Sequence, residues 1–500
     1  MIITRHLPAG EPHYSGMTVT ANGNPAEISL CRVSAVPYNT PWPGCQRPME
    51  QTEEAAFLGF EADEPVTLRI RWTHPVHEVT VRPLSRNIAT VPDTDSVAVT
   101  LSVPGAYTIE ADGYHGALHV FFDPIRDFPT LVRGKKHVVS FGPGVHEIGC
   151  MDLESDTAVL IDRDACLYGS FRAICSENIE ILGYGVIDGS REVRTDESSL
   201  LPKDYTEPLP ADRDGILRRL SDLNVLDGIL RFYRCRNIRV EGPILRDAAT
   251  FAVIPAGCEN VTLENLKTIG MWRYNSDGID LFNCRNVCIR NCFLRDFDDC
   301  IVIKGIAGWD TADNADILIE GCVVWCDWGR SLELGAETNA PAFRDITFRD
   351  CDCIHGSTAH MDIQHHNRAD IGHVTFENIR AEYTKYQLPD AFQSDMSIPY
   401  PKDAPVRHPL LFCLPIYNSG LFSKDGLNGC IHDITFRNIR ILTDSPDVPV
   451  PESSFTGLSE EHSVDQVCIA GVSFNGKSLS TQDDLRLHTN EFVHNVTILP

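Results

Sequence analysis

From about residue 126 onwards, short runs of alternating apolar and polar residues return at a regular interval. Each run begins with a small or polar residue followed by Asn or Asp, and it ends near Asn, Asp or Gly. The runs lie at residues 176–183, 235–242, 258–265, 284–291, 314–321, 343–350, 371–378, 431–438 and 493–500, and those in the middle are 23 to 30 residues apart. Alternation with a period of two is typical of a strand that buries one face.

A repeat of this length, built from short strands and turns without a helical stretch between them, predicts a solenoid. Each coil would stack its strands on those of the next coil, about 4.8 Å away. Leucine-rich repeats do not fit, because their Leu spacing is absent. We therefore expect an all-β fold in which residues 126–500 form a right-handed parallel β-helix.

Residues 1–125 have a different pattern and predict a separate domain. Alternating apolar runs at 66–72, 79–81, 97–103 and 107–109 are broken by Pro and Gly turns, which is typical of a small β-sandwich. A chain of 500 residues is long enough for two domains. We expect this N-terminal β-sandwich to precede the solenoid.

Three intervals between repeats are long, at about 189–228, 380–428 and 445–490. Since a coil ladder cannot absorb extra residues, we expect them to leave the solenoid as loops, the first with a short helix within 214–223. Loops of this length often carry function, so they could wall a cleft, although simple decoration of the solenoid is an equal alternative.

Composition and charge exclude some partners. With 43 basic and 70 acidic residues the formal charge is −27, which argues against nucleic acid and anionic membranes as partners. The start of the chain has no apolar stretch of signal-peptide length, and no run of eighteen apolar residues occurs, so we expect a cytoplasmic protein. Its 18 cysteines are then expected to be reduced core thiols.

The candidate chemistry lies at 275–304, where the runs NSDGID and DDCIVIK each begin an alternating segment. Asp277 and Asp299 are 22 residues apart, so on adjacent coils they would be neighbours in space. Hydrolysis of a glycosidic bond needs such a pair of carboxylates. The fold alone would also place some Asp residues at turns, but it explains the group Asp277, Asp298 and Asp299 less well.

Aligning the strands by their apolar residues predicts a register. Ile279, Ile301, Leu332 and Met361 would point into the core, and the outward line would be Asp280, Val302, Glu333 and Asp362. Carboxylates on one exposed ladder repel each other, so such a column is costly unless it has a use.

Aromatic and imidazole side chains near these strands are further candidates. Trp272, Tyr274, Trp309, Trp325 and Trp328 could stack on sugar rings or simply pack. A metal site at His360, Asp362, His365 and His366 is disfavoured because adjacent strand residues face opposite sides, and the single Cys-x-Cys at 351–353 lacks the second ligand pair of a zinc site. We expect no metal or cofactor, and His360 to bind sugar.

The runs NSDGID, DDCIVIK and GRSLELG, in this order, resemble the motifs of polygalacturonase-like glycoside hydrolases, family 28 and its relatives with the pectin-lyase-like β-helix. The stretches FGPGVHEIG and GYGVIDG are similar to the first coils of that family, and the resemblance covers about 126–500. It implies hydrolysis with inversion, in which Asp298 protonates the leaving oxygen while Asp277 and Asp299 activate water. Inversion needs an acid and a base about 6.5–9.5 Å apart with water between them, and crowded charges would help the acid to keep its proton.

The chain departs from the family pattern at positions that bind the substrate in the family. Gly329-Arg330-Ser331 stands in place of Gly-His-Gly, and Asp362-Ile363-Gln364 in place of Arg-Ile-Lys. Because Asp362 should repel a uronate, we expect a neutral glycan, as in the dextranase-like relatives. The predicted substrate-binding residues are Trp272, Asp280, Lys304, Trp309, Arg330, Glu333, His360, Asp362 and Gln364.

Together these observations predict an inverting glycoside hydrolase with a carbohydrate substrate. The long loops and the absence of an export signal favour an exo-acting enzyme that trims imported oligosaccharides. Three alternatives stay open: a polygalacturonase acting on galacturonides, a lyase or fructotransferase of the same fold, and a non-catalytic glycan-binding solenoid.

Overall fold

The computed structural model describes residues 1–35, 49–132, 134–195, 197–198, 209–306, 312–385, 408–418 and 426–500. Regular structure in these ranges is almost entirely β. The α-helices are Phe128–Leu131 and Arg213–Asp222, and short 3₁₀ turns occupy Met49–Gln51 and Leu84–Arg86. Neither α-helix has the length and apolar character that a membrane span requires, and the described ranges contain no other candidate.

The N-terminal part consists of two sheets that share one core. The first sheet contains Ile2–Thr4, Ser29–Ser34, Thr52–Ala62, Val79–Arg82, Gly105–Ala111 and Leu118–Asp123. The second contains Met17–Ala21, Asn24–Ala26, Val66–Trp72, Thr90–Pro92 and Val97–Leu101. Leu58 and Val120 of the first sheet are buried in the same cluster as Val19, Leu68 and Val99 of the second, which is the two-layer arrangement expected of a sandwich.

A long parallel sheet carries the sequence repeats, one strand for each coil. Its strands are His137–Phe141, Thr157–Ile161, Glu177–Gly183, Arg236–Glu241, Glu259–Glu264, Arg285–Arg290, Asn314–Glu320, Ala342–Arg349, Asp370–Glu377, Cys430–Arg437, Val464–Ala470 and Thr497–Leu499. They pair in sequence order, and each of the nine predicted repeats supplies one strand. The predicted all-β class and the parallel β-helix are thereby confirmed.

The Asn of the repeat pattern has a local structural role. Asn178, Asn237, Asn260 and Asn286 have φ between 53° and 60°, a left-handed conformation that Asn tolerates better than most residues. The side-chain amides of the last three each donate to the Asn of the preceding coil, at 3.0, 2.9 and 2.7 Å, and that of Asn178 donates to Asp156 at 2.9 Å. The repeated Asn thus turns the chain at one corner and links successive coils.

The remaining solenoid strands form a second long sheet, with two strands from most coils. They are Gly144–Leu153, Ala165–Ile174, Val186–Asp188, Leu230–Tyr233, Ile244–Arg246, Val253–Ala256, Lys267–Ile269, Ile279–Phe282, Phe293–Asp296, Ile301–Gly305, Val323–Cys326, Arg330–Thr338, Asp352–His355, Ala359–His365, Arg380–Tyr383, Leu410–Pro415, Arg440–Thr443, Ser453–Thr456, Val472–Phe474, Lys477–Leu479 and Leu487–Thr489. Apolar side chains fill the interior between the sheets. The buried thiols of Cys235, Cys258 and Cys284 belong to this core and are free.

For two of the three long intervals, the prediction that they leave the solenoid as loops is partly wrong. The interval 445–490 contains five strands, from Ser453–Thr456 to Leu487–Thr489, and 380–428 contributes Arg380–Tyr383 and Leu410–Pro415. One coil was missed because Gln466 occupies its left-handed corner, with φ of 54°, where the other repeats have Asn, Asp or His. Residues 386–407 and 419–425 lie outside the described ranges.

The N-terminal sheets cover one flank of the solenoid. Phe57 and Phe121 form an apolar cluster with Phe293 and Trp325. Trp325 is fully buried there, its ring centroid 3.8 Å from the guanidinium carbon of Arg295. The expectation that Trp325 could stack on sugar is therefore wrong, because the N-terminal sheets cover it.

Candidate active site

The predicted register of the acidic coils is confirmed. Ile279, Ile301, Leu332 and Met361 pair in sequence order, and the adjacent line is Asp280, Val302, Glu333 and Asp362. Alternation along the strands turns these four side chains away from the core. However, none of them is more than 2% exposed, so the expected exposed ladder is wrong: the line is covered, and its charges need partners.

Lys304 is the cation nearest to Asp277. Its ammonium donates to Asp277 Oδ2 at 2.9 Å, lies 2.8 Å from Asp280 Oδ1, and sits 4.6 Å from the ring centroid of Phe251. Burial raises the pKa of Asp277 well above its usual value, and that of Asp280 to about 6, while Lys304 opposes both shifts. Lys304 thus favours the ionised form of Asp277.

Arg330 occupies the corresponding place beside Asp299. Its backbone N–H donates to Asp299 Oδ1 at 3.0 Å, and its Nη1 lies 3.9 Å from the same oxygen. The guanidinium Nε donates to Asp362 Oδ2 at 3.3 Å and lies 4.0 Å from Glu333 Oε1. A Cβ on Gly329 would come within 2.5 Å of Asp299 Oδ1, so this close approach requires glycine.

Asp298 has different surroundings. Among the described residues no cation lies within 4.0 Å of its carboxylate, and Oδ2 accepts a hydrogen bond from Asn275 Nδ2 at 3.4 Å. Burial, and next the charge of Asp299, raise the pKa of Asp298 well above its usual value. The pKa of Asp277 is raised as well, so Asp298 is distinguished from Asp277 by its surroundings, an amide in place of a close cation, which suit a carboxyl that holds a proton.

Part of this chain is similar in sequence to known glycoside hydrolases. The sequence model of glycosyl hydrolases family 28 matches residues 214–388, which include all three aspartates. A probable polygalacturonase of Arabidopsis thaliana is 29% identical over 122 residues, which are 24% of this chain and 26% of the relative. The chain thus matches about a quarter of that relative's length.

Two solved structures share the fold. Dex49A from Penicillium minioluteum aligns with 99% of this chain and 96% of its own, with a TM-score of 0.64 and 12% identity. An exopolygalacturonase from Thermotoga maritima aligns with 74% of this chain and 86% of its own, with a TM-score of 0.50 and 17% identity. The match of the family 28 sequence model to residues 214–388 confirms the predicted resemblance to that family.

Arg330 and Asp362 fall within the family 28 match and form one hydrogen-bonded unit. Gln364, predicted to bind sugar, is half-buried and pairs in register with Gly335 one coil earlier. Glu333 is fully buried beside Arg330. The two segments at which the chain is expected to depart from the family, 329–331 and 362–364, therefore lie at neighbouring strands that pair in register.

The histidines of this region have separate partners. His360 Nδ1 lies 3.0 Å from Ser331 Oγ, and His365 Nδ1 lies 2.7 Å from Thr338 Oγ1. Burial lowers the pKa of both to about 3. His366 stacks on Tyr417, with ring centroids 4.6 Å apart. Within the described ranges no three His, Cys, Asp or Glu side chains are grouped as a metal site.

The aromatic candidates are divided between two places. Tyr274 and Trp328 have ring centroids 6.0 Å apart, and Trp328 stacks on Phe297, immediately before Asp298. Trp272 instead lies 5.3 Å from the guanidinium of Arg273, which is paired with Asp247. Trp309, the other predicted sugar platform, lies outside the described residues. The half-exposed Trp328 is therefore the better placed platform.

Two residues near Asp298 were not predicted from the sequence. Asn275 lies in the NSDGID run but received no role, although its amide contacts Asp298. Arg194, from the segment after Val186–Asp188, donates to Asn275. Nothing in its local sequence distinguishes Arg194, because the contact joins residues 81 positions apart.

Proposed function

We propose that this protein is an inverting glycoside hydrolase that removes sugar units from the end of a neutral glycan or oligosaccharide. The observation that carries the proposal is the unequal pairing of three adjacent aspartates. Asp277 and Asp299 have cations beside them, which favours a base. Asp298 has an amide beside it instead, and without a close cation its protonated form is less opposed, which suits an acid.

In the mechanism, Asp298 gives its proton to the glycosidic oxygen as the bond to the anomeric carbon breaks. Asp277 and Asp299 hold a water molecule on the opposite face and accept its proton as the oxygen attacks. The product carries the inverted configuration. Asp298 is then ionised and the base pair carries the proton, so exchange with solvent restores the starting state.

A neutral substrate is supported by the pairing of Lys304 and Arg330 with carboxylates of the protein. Lys304 lies between Asp277 and Asp280, and Arg330 is engaged by Asp299, Glu333 and Asp362. A uronate carboxylate that approached either cation would have to displace a carboxylate of the protein. This favours substrates that offer hydroxyl groups over substrates that carry charge.

Action at a chain end is supported by the segment after Asp188. Arg273 donates to the carbonyl oxygens of Ser190 and Glu192, at 3.3 and 2.8 Å, and Arg194 donates to the carbonyl of Tyr274 at 2.5 Å. The segment therefore lies against the coil that carries Asp277. A wall at this place would favour binding of a chain end over the middle of a polymer.

A panel of neutral and uronic oligosaccharides tests the proposal, with the anomeric form of the first product read by NMR. We expect turnover of a neutral member, an inverted product and release of terminal units. A retained configuration would refute the inverting assignment. Mid-chain cleavage of a labelled series would refute the exo assignment.

The second candidate is a polygalacturonase, favoured by the match to a probable polygalacturonase. The same panel distinguishes the two, since this candidate requires preferential turnover of galacturonides. Asp362→Asn sharpens the test: it should free Arg330 and raise kcat/KM for uronides relative to neutral substrates, about tenfold if one charge-assisted hydrogen bond is gained. An unchanged ratio would show that Asp362 does not set this preference.

A further inference from the structure

The long segment after Asp188 places one side chain next to the acidic coils. Arg194 is only 6% exposed. Its Nη1 donates to the carbonyl oxygen of Tyr274 at 2.5 Å and its Nη2 to Asn275 Oδ1 at 3.2 Å, with the guanidinium carbon 5.6 Å from the centroid of the Tyr274 ring. The guanidinium is therefore held against Tyr274 and Asn275, which shortly precede Asp277 in the sequence.

Asn275 connects this guanidinium to Asp298. Its backbone is left-handed, with φ of 56°, and its Nδ2 donates to Asp298 Oδ2 at 3.4 Å. A guanidinium can only donate hydrogen bonds, so Arg194 must meet the oxygen of the amide. That contact decides which way the amide faces, and it turns the nitrogen towards Asp298.

The segment that carries Arg194 is anchored on both sides. Arg273 holds the carbonyl oxygens of Ser190 and Glu192 while its Nε donates to Asp247 at 2.9 Å. The carboxylate of Glu192 accepts from the backbone N–H groups of Asp227 and Gly228, at 2.5 and 2.8 Å. Arg194 is thus presented by a fixed backbone, as positioning requires.

We propose that Arg194 is a positioning residue for the general acid: by orienting the Asn275 amide, it directs an N–H donor at one carboxyl oxygen of Asp298 and leaves the other oxygen for the substrate. The inference rests on the role of Asp298 in the proposed function. An N–H donor favours the ionised carboxylate, so loss of the donor raises the pKa of Asp298. The other charged groups that influence Asp298 are Asp277, Asp280, Asp299, Lys304 and Arg330.

A double-mutant cycle tests the connection. The variants are Arg194→Met, Asn275→Gly and the pair, since glycine keeps the left-handed backbone while removing the amide. We expect each single change to lower kcat by about 10-fold to 100-fold with little change in KM, and to move the alkaline limb of the kcat profile to higher pH. The double variant should be no worse than Asn275→Gly alone.

Arg191→Met is the matched control, because Arg191 lies in the same segment but is exposed and paired with Glu147. It should leave kcat and the pH profile unchanged. Independent, additive effects of Arg194→Met and Asn275→Gly would overturn the inference, as would an alkaline limb that does not move.

A measurement without substrate separates this inference from the proposed function. In protein labelled with ¹³C at the Asp carboxyl carbons, Asp298 is assigned by its loss in Asp298→Asn and then titrated. A higher pKa in Arg194→Met than in the wild type is expected, and an equal pKa would overturn the inference. If the wild type hydrolyses none of the glycans, the proposed function fails while this titration still gives its answer.

Discussion

Two buried clusters of charge in this molecule are built differently. At the junction of the N-terminal sheets with the solenoid, Arg82 donates to Glu110, Glu382 and Asp444 at 2.9, 2.7 and 2.7 Å. In the candidate site, both carboxyl oxygens of Glu333 and of Asp280 receive no well-oriented hydrogen bond from the described residues, although cations lie near. Every nitrogen of the Arg82 guanidinium is thus paired with a carboxylate, whereas these carboxylates of the site are not matched in the same way.

The difference separates a structural role from a functional one. A buried charge left without good partners costs free energy, so natural folds retain it mainly where it is used. The junction pairs bind two parts of the chain together and offer nothing to a ligand. The site keeps buried carboxyl oxygens that lack such partners. Variants in the two clusters should therefore affect different properties.

The largest effect is expected from Asp298→Asn. Loss of the proposed general acid should lower kcat by about 10²- to 10⁴-fold, with no loss of thermal stability, because a crowded buried carboxyl is removed. Turnover of the best substrate and thermal unfolding measure the two quantities. Asp152→Asn, at an ion pair with Arg172 on the solenoid surface, is the control and should keep full activity.

Substitutions in the Arg82 cluster at the junction should instead lower the stability of the protein. Arg82→Met leaves the buried Glu110 and Glu382 and the half-buried Asp444 without this cation, and we expect the free energy of unfolding to fall by about 3–5 kcal/mol, with kcat of the folded protein unchanged. Denaturant titration measures the change. Arg69→Met, which breaks an exposed pair with Asp93, should cost less than about 1 kcal/mol. Equal losses in the two variants would remove the contrast between buried and surface pairs.

Lys304 and Lys267, the buried lysines of the described ranges, allow a sharper comparison. Lys304→Met should raise the pKa of Asp277 further, so the acidic limb of the kcat/KM profile should move to higher pH, with activity at neutral pH reduced roughly 10-fold to 100-fold. Lys267→Met removes the junction pair with Asp123, 2.7 Å long. It should lower stability and leave the profile in place. A shift in both variants would show that the two clusters are electrostatically coupled.

The smallest effect is expected in the pH dependence of the stability that Glu110 contributes. Burial alone would raise the pKa of Glu110, but Arg82 and His355 outweigh burial and lower it to about 2 from an ordinary 4.5. A depressed folded-state pKa stabilises the protein above the unfolded pKa, and this is lost as pH falls towards the folded value. The wild type should thus exceed Glu110→Gln in stability above about pH 4.5 and lose that advantage towards pH 2. A difference that does not vary across this range in urea titrations would contradict the pairing.

Several features could be read from the sequence because they are local or periodic. The repeat with a corner Asn predicted the stacking of coils, and apolar alternation predicted the pairing of Ile279, Ile301, Leu332 and Met361. Where the corner residue changed to Gln466, the same reasoning missed a coil. Recognition therefore depended on the residue at the left-handed turn, which is the tightest local constraint in the repeat.

Other features were decided by contacts between distant segments. The sequence indicated that Asp280, Glu333 and Asp362 share one line, and it could not indicate that the line is buried. Trp325 looks like a sugar platform until the N-terminal sheets are seen to cover it. Arg194 reaches Asn275 from 81 positions away.

The sequence by itself thus determined the coil repeat, the strand register and the adjacency of Asp277, Asp298 and Asp299, because a period of two and the length of a coil dictate which residues are neighbours. Only the tertiary structure decided which carboxyl has a cation beside it and which has an amide. That choice depends on where Lys304, Arg330 and the segment carrying Arg194 come to lie. Such positions follow from packing between separate parts of the chain, which no local spacing encodes.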